Sequence, residues 1–182
     1  VCKLIVNGPL KVTPEEGITV TEENGKTIVE ATGFSAHGST PELGVNAVVK
    51  LLNAVKENDF GGDFQQLVNF ILEEIGNETN GKSLDILYQD EETGETTVNL
   101  GVVKYDGEEM SFTLDIRYPK NGDAEVIDDK VINRINSYNF DVLKKTNNKL
   151  LYVPKDSELV SKLVKVYEAQ TGDKREPIAI GG

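Results

Sequence analysis

The residue of this sequence that is best suited to polar chemistry is its single histidine, His37. It lies in the stretch GFSAHGSTPELGVNA, which covers residues 33–47. Small residues flank it, and small neighbours let another surface approach closely. A helix is expected to begin just after it, and the positive end of a helix favours an anion or a developing oxyanion. A lone histidine in such a loop is also commonly a plain surface residue, so both interpretations stay open here.

Arg117 is the second candidate for a functional role. It ends an alternating apolar and polar stretch, two residues before Pro119. A guanidinium group binds a carboxylate through two parallel hydrogen bonds, so an arginine at a strand end would suit a carboxylate clamp. A surface ion pair, either with Asp115 on the polar face of the same strand or with a residue of a neighbouring strand, is the alternative role.

Several kinds of catalytic site are missing from the sequence. One histidine and one cysteine, Cys2, do not supply a histidine-rich or cysteine-rich zinc site. There is no Gly-x-Ser-x-Gly motif and no glycine-rich phosphate loop after a strand. The acidic run QDEETGE is interpreted as a solvated turn around Gly94 and not as a metal site. Taken alone, the residues predict no self-sufficient catalytic set.

The first half of the chain is predicted to contain a hairpin and two helices. Asn24-Gly25 lies between alternating apolar residues, which is the strongest short signal for a hairpin turn. Ser39 or Thr40 is predicted to cap the helix after His37, with Pro41 in its first position. A second helix follows the break at residues 61–62, with Asp63 as its cap.

The second half is predicted to contain a hairpin, two helices and two short strands. Two long strands meet near Asp106-Gly107, and a helix covers the run DAEVIDDKVINRINSY. FDVLKK, residues 140–145, is predicted as a short strand. The last helix is capped by Asp156 or Ser157 and closed by Gly172, and a strand is expected in the final run EPIAIGG.

This order of elements predicts an α+β fold, in which helices pack on one face of an antiparallel sheet as in a ferredoxin-like sandwich. A change of composition at KKTNNK, residues 144–149, is the best candidate for a boundary. It divides the chain into residues 1–149 and residues 150–182.

The overall composition limits the partners and the compartment. The 182 residues carry a net charge of −12, which argues against nucleic acid and against an anionic membrane surface as partners. No apolar run approaches the roughly 20 residues of a membrane span. A single cysteine fits a reducing compartment, so the cytoplasm is expected. The chain begins without methionine and ends just after an apolar run, so a fragment of a longer protein is expected.

Three stretches resemble one known superfamily. GFSAHGSTPELGVNAVVKLL and TTVNLGVVKYDGEEMSFTLDIRYP resemble two motifs of the lid domain of the dinuclear-zinc aminoacylases and dipeptidases, the second being a hairpin that ends in Asp-x-Arg. LYVPKDSELVSKLVKVYEAQTGDKREPIAIGG is similar to the return into the metal-binding domain of the peptidase V type dipeptidases. The three stretches lie between residues 33 and 182, in the family's order.

The resemblance implies a role for each matching residue. His37 matches the lid histidine that polarises the scissile carbonyl and stabilises the oxyanion, and Arg117 matches the arginine that binds the C-terminal carboxylate of the substrate. Gly181 and Gly182 match the start of a substrate-binding loop. Residues 1–149 would be the lid, and residues 150–182 would be the first helix and strand of the returning metal-binding domain. The substrate would be a dipeptide.

The chain departs from the family in one important respect. The family's metal ligands and its general-base glutamate belong to the other domain, and no matching residues are present. We therefore expect two zinc ions in the parent enzyme, none bound by this chain, and no activity of the chain without the missing catalytic domain. The alternative is a non-catalytic module that forms a homodimer by pairing sheet edges. A regulatory domain that binds a small molecule is a third interpretation, resting on the fold alone.

Overall fold

The computed structural model describes residues 1–148 and 150–179, and its first element is a three-stranded antiparallel sheet. The strands are β1 (Cys2–Asn7), β2 (Ile18–Glu23) and β3 (Lys26–Ala31), with β3 in the centre. Asn24 and Gly25 join β2 to β3 with φ angles of 51° and 74°. Both positive values are those of a type I′ turn, so the predicted hairpin is confirmed. The sequence analysis did not predict β1.

The chain then forms a short 3₁₀ turn and the helix α1 (Ala47–Val55). The 3₁₀ turn covers Pro41–Leu43. The N-cap of α1 is Asn46, whose Oδ1 accepts the amide N–H groups of Val48 and Val49. The prediction that Ser39 or Thr40 caps this helix is therefore wrong. Proline in the 3₁₀ turn and proline in the first turn of a helix give the same sequence signal, because both need the same φ.

A second helix, α2 (Gly62–Phe70), continues into one π-helical turn at Ile71–Ile75. Its N-cap is Gly61, and Asp63 lies in its first turn without making the predicted side-chain cap hydrogen bond. The π turn contains Glu74, which is buried. This carboxylate accepts hydrogen bonds from Arg134 (3.1 Å) and from the hydroxyl of Tyr138 (2.8 Å). Paired hydrogen bonds of this kind are what make a buried charge tolerable.

Two further antiparallel pairs follow. The short strands β4 (Gln89–Asp90) and β5 (Gly94–Glu95) enclose the acidic turn. The long strands β6 (Thr97–Tyr105) and β7 (Met110–Arg117) form the second predicted hairpin, which is confirmed. The register of β6 and β7 shifts between Leu100 and Val103, which marks a bulge.

The helix α3 (Ala124–Ser137) is confirmed, with Asp123 as its N-cap. The strand predicted at residues 140–145 is wrong, since residues 140–148 form no strand. Phe140 instead packs edge-on against the rings of Phe70 and Phe112, at centroid distances of 6.1 and 5.6 Å. An apolar residue can be buried by such ring contacts without any backbone partner, and no strand is then required.

The last helix is α4 (Glu158–Thr171), which begins at the N-cap Ser157 and ends at Gly172 in the left-handed conformation. All of its residues are described, and none of them is buried. Residues 173–179 form no strand. The remainder of the strand predicted in EPIAIGG lies outside the described residues.

These elements confirm the predicted α+β class with antiparallel strand pairing, although the strands form three separate hydrogen-bonded sheets and not one. Within the described part of the chain, no helix is both long and apolar enough to cross a membrane. Most of the core side chains come from β3, α1, α2 with its π turn, β6 and α3: Val29, Ala31, Val49, Leu51, Leu52, Val55, Leu67, Val68, Phe70, Ile71, Ile75, Val98, Leu100, Ile127, Val131 and Ile135.

Candidate functional site

The loop that carries His37 closes on itself at its base. Phe34 and Val45 exchange both backbone hydrogen bonds, at 3.0 and 2.8 Å. Two glycines make this closure possible: a Cβ on Gly33 would lie 2.2 Å from the carbonyl oxygen of Val45, and one on Gly44 would lie 2.8 Å from that of Phe34. The two ends of the loop between β3 and α1 are therefore held together by backbone hydrogen bonds.

The side chain of His37 is exposed but held within this loop. Its Nδ1 lies 2.8 Å from Oγ of Ser39 and accepts the backbone N–H of Ser39 at 3.2 Å. The carbonyl oxygen of His37 also accepts the backbone N–H of Thr40 at 2.9 Å. The ring is thus fixed on its Nδ1 side by the residue two positions later.

The next residue, Gly38, joins the histidine loop to the end of the β6–β7 hairpin. Its carbonyl oxygen accepts a hydrogen bond of 3.2 Å from the hydroxyl of Thr97, the residue that pairs with Arg117 in the sheet. A Cβ on Gly38 would lie 2.6 Å from Oδ2 of Asp115 and 3.2 Å from Nη2 of Arg117. The fold therefore brings the side chain of Arg117 against Gly38, the residue that follows His37 in the chain.

Arg117 and Asp115 project from the same face of β7. Nη2 of Arg117 lies 3.3 Å from Oδ2 of Asp115, and the two side chains are 23% and 50% exposed. The ion pair considered in the sequence analysis is therefore present. A partly exposed pair of this kind contributes little to stability.

The helix α1 is attached to the same hairpin through its cap. The Nδ2 group of Asn46 donates a hydrogen bond of 2.7 Å to the carbonyl oxygen of Leu100, beside the bulge in β6. The hydroxyl of Thr113 accepts the backbone N–H of Val102 within that bulge, at 2.9 Å. Because α1 begins at Ala47, its positive end lies at Asn46 and not beside His37. The expectation that a helix end lies next to the histidine is therefore wrong.

Gly181 and Gly182, the other residues predicted to bind substrate, lie outside the described residues. Sequence reasoning treated Gly38 as a small neighbour of His37, and Ser39 as a small neighbour and a candidate helix cap. In the sequence, the spacing His-x-Ser could have predicted the hydrogen bond between Ser39 and His37, because a serine hydroxyl can bond to a group two residues away.

A cluster that sequence reasoning missed connects residues 150–155 to the rest of the fold. Lys120 forms an ion pair with Glu92, and the hydroxyl of Tyr152 donates to the same carboxylate at 2.5 Å. The ammonium group of Lys120 also lies 4.7 Å from the centre of the Tyr152 ring. The Lys120 ammonium and the Tyr152 hydroxyl hold the pKa of the Glu92 carboxyl below its ordinary value. The hydrogen bond to Glu92 raises the pKa of the Tyr152 phenol. These residues are far apart in sequence, so no local pattern predicts the cluster.

The described residues do not fit a zinc site. Nowhere in residues 1–148 and 150–179 do three or more histidine, cysteine, aspartate or glutamate side chains come together in a way that could hold a metal ion. The His37 ring is hydrogen-bonded to Ser39, and the guanidinium of Arg117 lies near Gly38, where its positive charge disfavours a cation. The arrangement can donate hydrogen bonds and bind a carboxylate.

The chain is similar to bacterial proteins that carry the name putative dipeptidase. It is 32% identical over 174 residues to "Putative dipeptidase YtjP" of Bacillus subtilis (strain 168), a match covering 95% of this chain and 37% of the relative. It is 32% identical over 156 residues to a relative so named from Staphylococcus aureus (strain USA300), covering 85% of this chain and 33% of the relative. The chain thus spans about a third of the length of the curated relatives that it matches. No family model matches it.

Proposed function

We propose that the chain is the lid part of a zinc-dependent dipeptidase of the peptidase V type, an enzyme that hydrolyses dipeptides. The relatives named putative dipeptidases support the substrate class. The resemblance of the histidine loop and of the Asp-x-Arg hairpin to lid motifs supports the lid assignment. In this proposal residues 1–149 form the lid, and residues 150–182 begin the metal-binding domain.

The observation that carries the proposal is the contact at Gly38. This glycine follows His37 directly, its carbonyl oxygen is bonded to Thr97, and its α-carbon faces the Asp115–Arg117 pair. This contact supports a site at one end of the β6–β7 hairpin in which His37 acts as the hydrogen-bond donor and Arg117 as the carboxylate-binding group. Hydrolysis of a dipeptide needs both groups close together, because its scissile carbonyl and its terminal carboxylate belong to adjacent residues.

In the proposed reaction His37 donates a hydrogen bond to the carbonyl oxygen of the scissile peptide. Negative charge develops on this oxygen as water adds to the carbonyl carbon, so the bond strengthens in the transition state. A donor placed where charge develops contributes mainly to kcat. The exposed ring of His37 is accessible to a substrate held by another part of the enzyme.

Arg117 binds the C-terminal carboxylate of the dipeptide in this proposal. A guanidinium group can bind a carboxylate through two parallel hydrogen bonds, and the side chain of Arg117 is 23% exposed. Gly181 and Gly182 are proposed to begin the substrate-binding loop. Free dipeptides carry the carboxylate that Arg117 binds, whereas C-terminally amidated peptides do not.

The proposal assigns the two zinc ions to a part of the enzyme that is not this chain. The described residues bring no set of zinc ligands together, and about two thirds of the length of the relatives lies outside the match. A cytoplasmic location and a homodimer formed through the lid remain part of the proposal. The exposed apolar side chains Leu159, Leu163 and Val166 on α4, each 59% exposed, support a contact between α4 and the metal-binding domain.

The test is to replace His37 in the complete enzyme that carries this chain. His37→Ala should lower kcat for a dipeptide by about 10²–10³, the usual effect of removing one oxyanion donor, and should change KM little. Ser35→Ala, which changes an exposed residue of the same loop, is the matched control and should leave kcat unchanged. A change in KM alone would refute the oxyanion role. Hydrolysis by residues 1–182 alone, with stoichiometric bound zinc, would refute the lid assignment.

A further inference from the structure

We propose that Ser39 is a positioning residue that selects the tautomer of His37, holding Nδ1 without a proton and directing the Nε2–H group outward. The inference concerns the ring itself and stands on the hydrogen bonds of the loop. Its meaning for catalysis rests on the proposed function, in which His37 donates a hydrogen bond to the substrate.

The backbone amide of Ser39 identifies the tautomer. An amide N–H can only donate, and the N–H of Ser39 points at Nδ1 of His37 at 3.2 Å. Nδ1 must therefore present its lone pair, and the proton of the neutral ring is on Nε2. The Ser39 hydroxyl, 2.8 Å from the same nitrogen, can donate to it as a second hydrogen-bond donor.

The position of this amide is itself fixed on both sides. The preceding carbonyl, that of Gly38, is bonded to the hydroxyl of Thr97. The following amide, that of Thr40, donates to the carbonyl of His37 at 2.9 Å. The peptide groups around Ser39 therefore cannot rotate without breaking one of these bonds, and the amide stays directed at the ring.

This arrangement prepares the ring for the proposed reaction. A neutral histidine with its proton on Nε2 can donate at once to a developing oxyanion, whereas the other tautomer presents a lone pair that would repel it. Fixing the donor in advance removes the cost of reorienting it during the reaction. Ser39 thus acts on the substrate only through His37.

The direct test uses the fact that the chain has one histidine. The nitrogen-15 spectrum of residues 1–182 shows the signals of a single imidazole, so no assignment is needed. In alkaline solution we expect Nδ1 to be unprotonated and Nε2 to be protonated in nearly all molecules. In Ser39→Ala the hydroxyl donor is lost while the backbone amide still donates to Nδ1, so the Nδ1-protonated form should rise but stay below its level in a free histidine peptide. Ser39→Thr keeps the hydroxyl and should restore the original spectrum.

Two outcomes would overturn the inference. One is a wild-type ring with its proton on Nδ1, and the other is an unchanged tautomer ratio in Ser39→Ala. Circular dichroism of each variant confirms that the fold is retained. If Ser39→Ala proves unstable, the Nδ1 and Nε2 signals of the wild-type chain still decide whether the tautomer assignment holds.

The catalytic part of the inference is tested in the complete enzyme. Ser39→Ala should lower kcat about fivefold, as expected for the loss of one hydrogen bond that orients the ring, with KM unchanged and Ser39→Thr close to wild type. Equal kcat values for Ser39→Ala and the wild type would overturn the positioning role even if the spectrum changed. The proposed function fails in a different way, because it predicts a large loss in His37→Ala whatever the tautomer is.

Discussion

Replacing Gly38 with alanine tests whether one glycine controls the position of Arg117. The added Cβ would lie 2.6 Å from Oδ2 of Asp115, and ordinary contact begins at 3.4 Å, so the carboxylate must retreat by about 0.8 Å. The same Cβ would lie 3.2 Å from Nη2 of Arg117. The ion pair is already 3.3 Å long, so this displacement should break it and change the position of the guanidinium.

The substitution should change stability very little. Gly38 does not have a positive φ, so alanine fits its backbone conformation. The groups that must move are the ends of partly exposed side chains, which relax easily. Overpacking costs about 1 kcal/mol at such a site, and the lower entropy of the unfolded alanine chain offsets about 0.4–1 kcal/mol of that cost. For a chain of this size the melting temperature should stay within about 4 °C of the wild type.

The effect on substrate binding should be larger. Loss of one charge-assisted hydrogen bond between Arg117 and the substrate carboxylate costs about 1.5–3 kcal/mol, so KM of the complete enzyme should rise at least about tenfold. The assay compares KM for a dipeptide with the melting temperature of each variant. The double variant Gly38→Ala/Asp115→Ala should match Asp115→Ala, because the clashing carboxylate is gone. An unchanged KM in Gly38→Ala, or a fall of more than about 10 °C in its melting temperature, would refute this reasoning.

Two further predictions concern Arg117 and the Glu92 cluster. Arg117→Ala should raise KM for dipeptides with a free carboxylate and leave KM for C-terminally amidated peptides unchanged. Arg117→Lys should give an intermediate KM, because lysine cannot bind a carboxylate through two parallel bonds. An equal rise in KM for both substrates would exclude the carboxylate role. The pKa of Glu92 is lowered in the folded chain, chiefly by Lys120, so its contribution to stability is present above the ordinary carboxyl pKa and is lost as the pH falls through the folded value. As the pH is lowered from about 5 to about 3, the urea midpoint of unfolding should therefore fall less steeply in Glu92→Gln than in the wild type. Parallel plots of the midpoint against pH for the two proteins would contradict this.

Local signals predicted the elements whose structure is determined locally. Asn24-Gly25 specifies its turn because both residues tolerate positive φ. The alternation in β7 places Phe112, Leu114 and Ile116 toward the core, as expected. Ser157 and Gly172 bound α4 through a side-chain cap and a left-handed residue, and both signals are visible in the sequence.

The errors occurred where distant residues decide the structure. The start of α1 is set by Asn46, whose amide also reaches Leu100 in β6, and that second bond cannot be read from neighbouring residues. Phe140 finds an aromatic cluster and not a strand partner. The site was predicted as two separate side chains, and the contact through Gly38 that relates them depends on the packing of the loop against the hairpin.

The closure of the histidine loop at Phe34 and Val45 has a consequence for protein engineering. Residues that exchange both backbone hydrogen bonds have α-carbons about 5.5 Å apart, which is the spacing of a β-hairpin that ends in a hydrogen-bonded pair. The hydrogen bonds between His37 and Ser39 lie entirely between these two residues. Residues 33–45, which include both glycines of the closure, can therefore replace the turn of a hairpin in another scaffold, and a hydroxyl placed like that of Thr97 would be needed there to hold the Gly38 carbonyl.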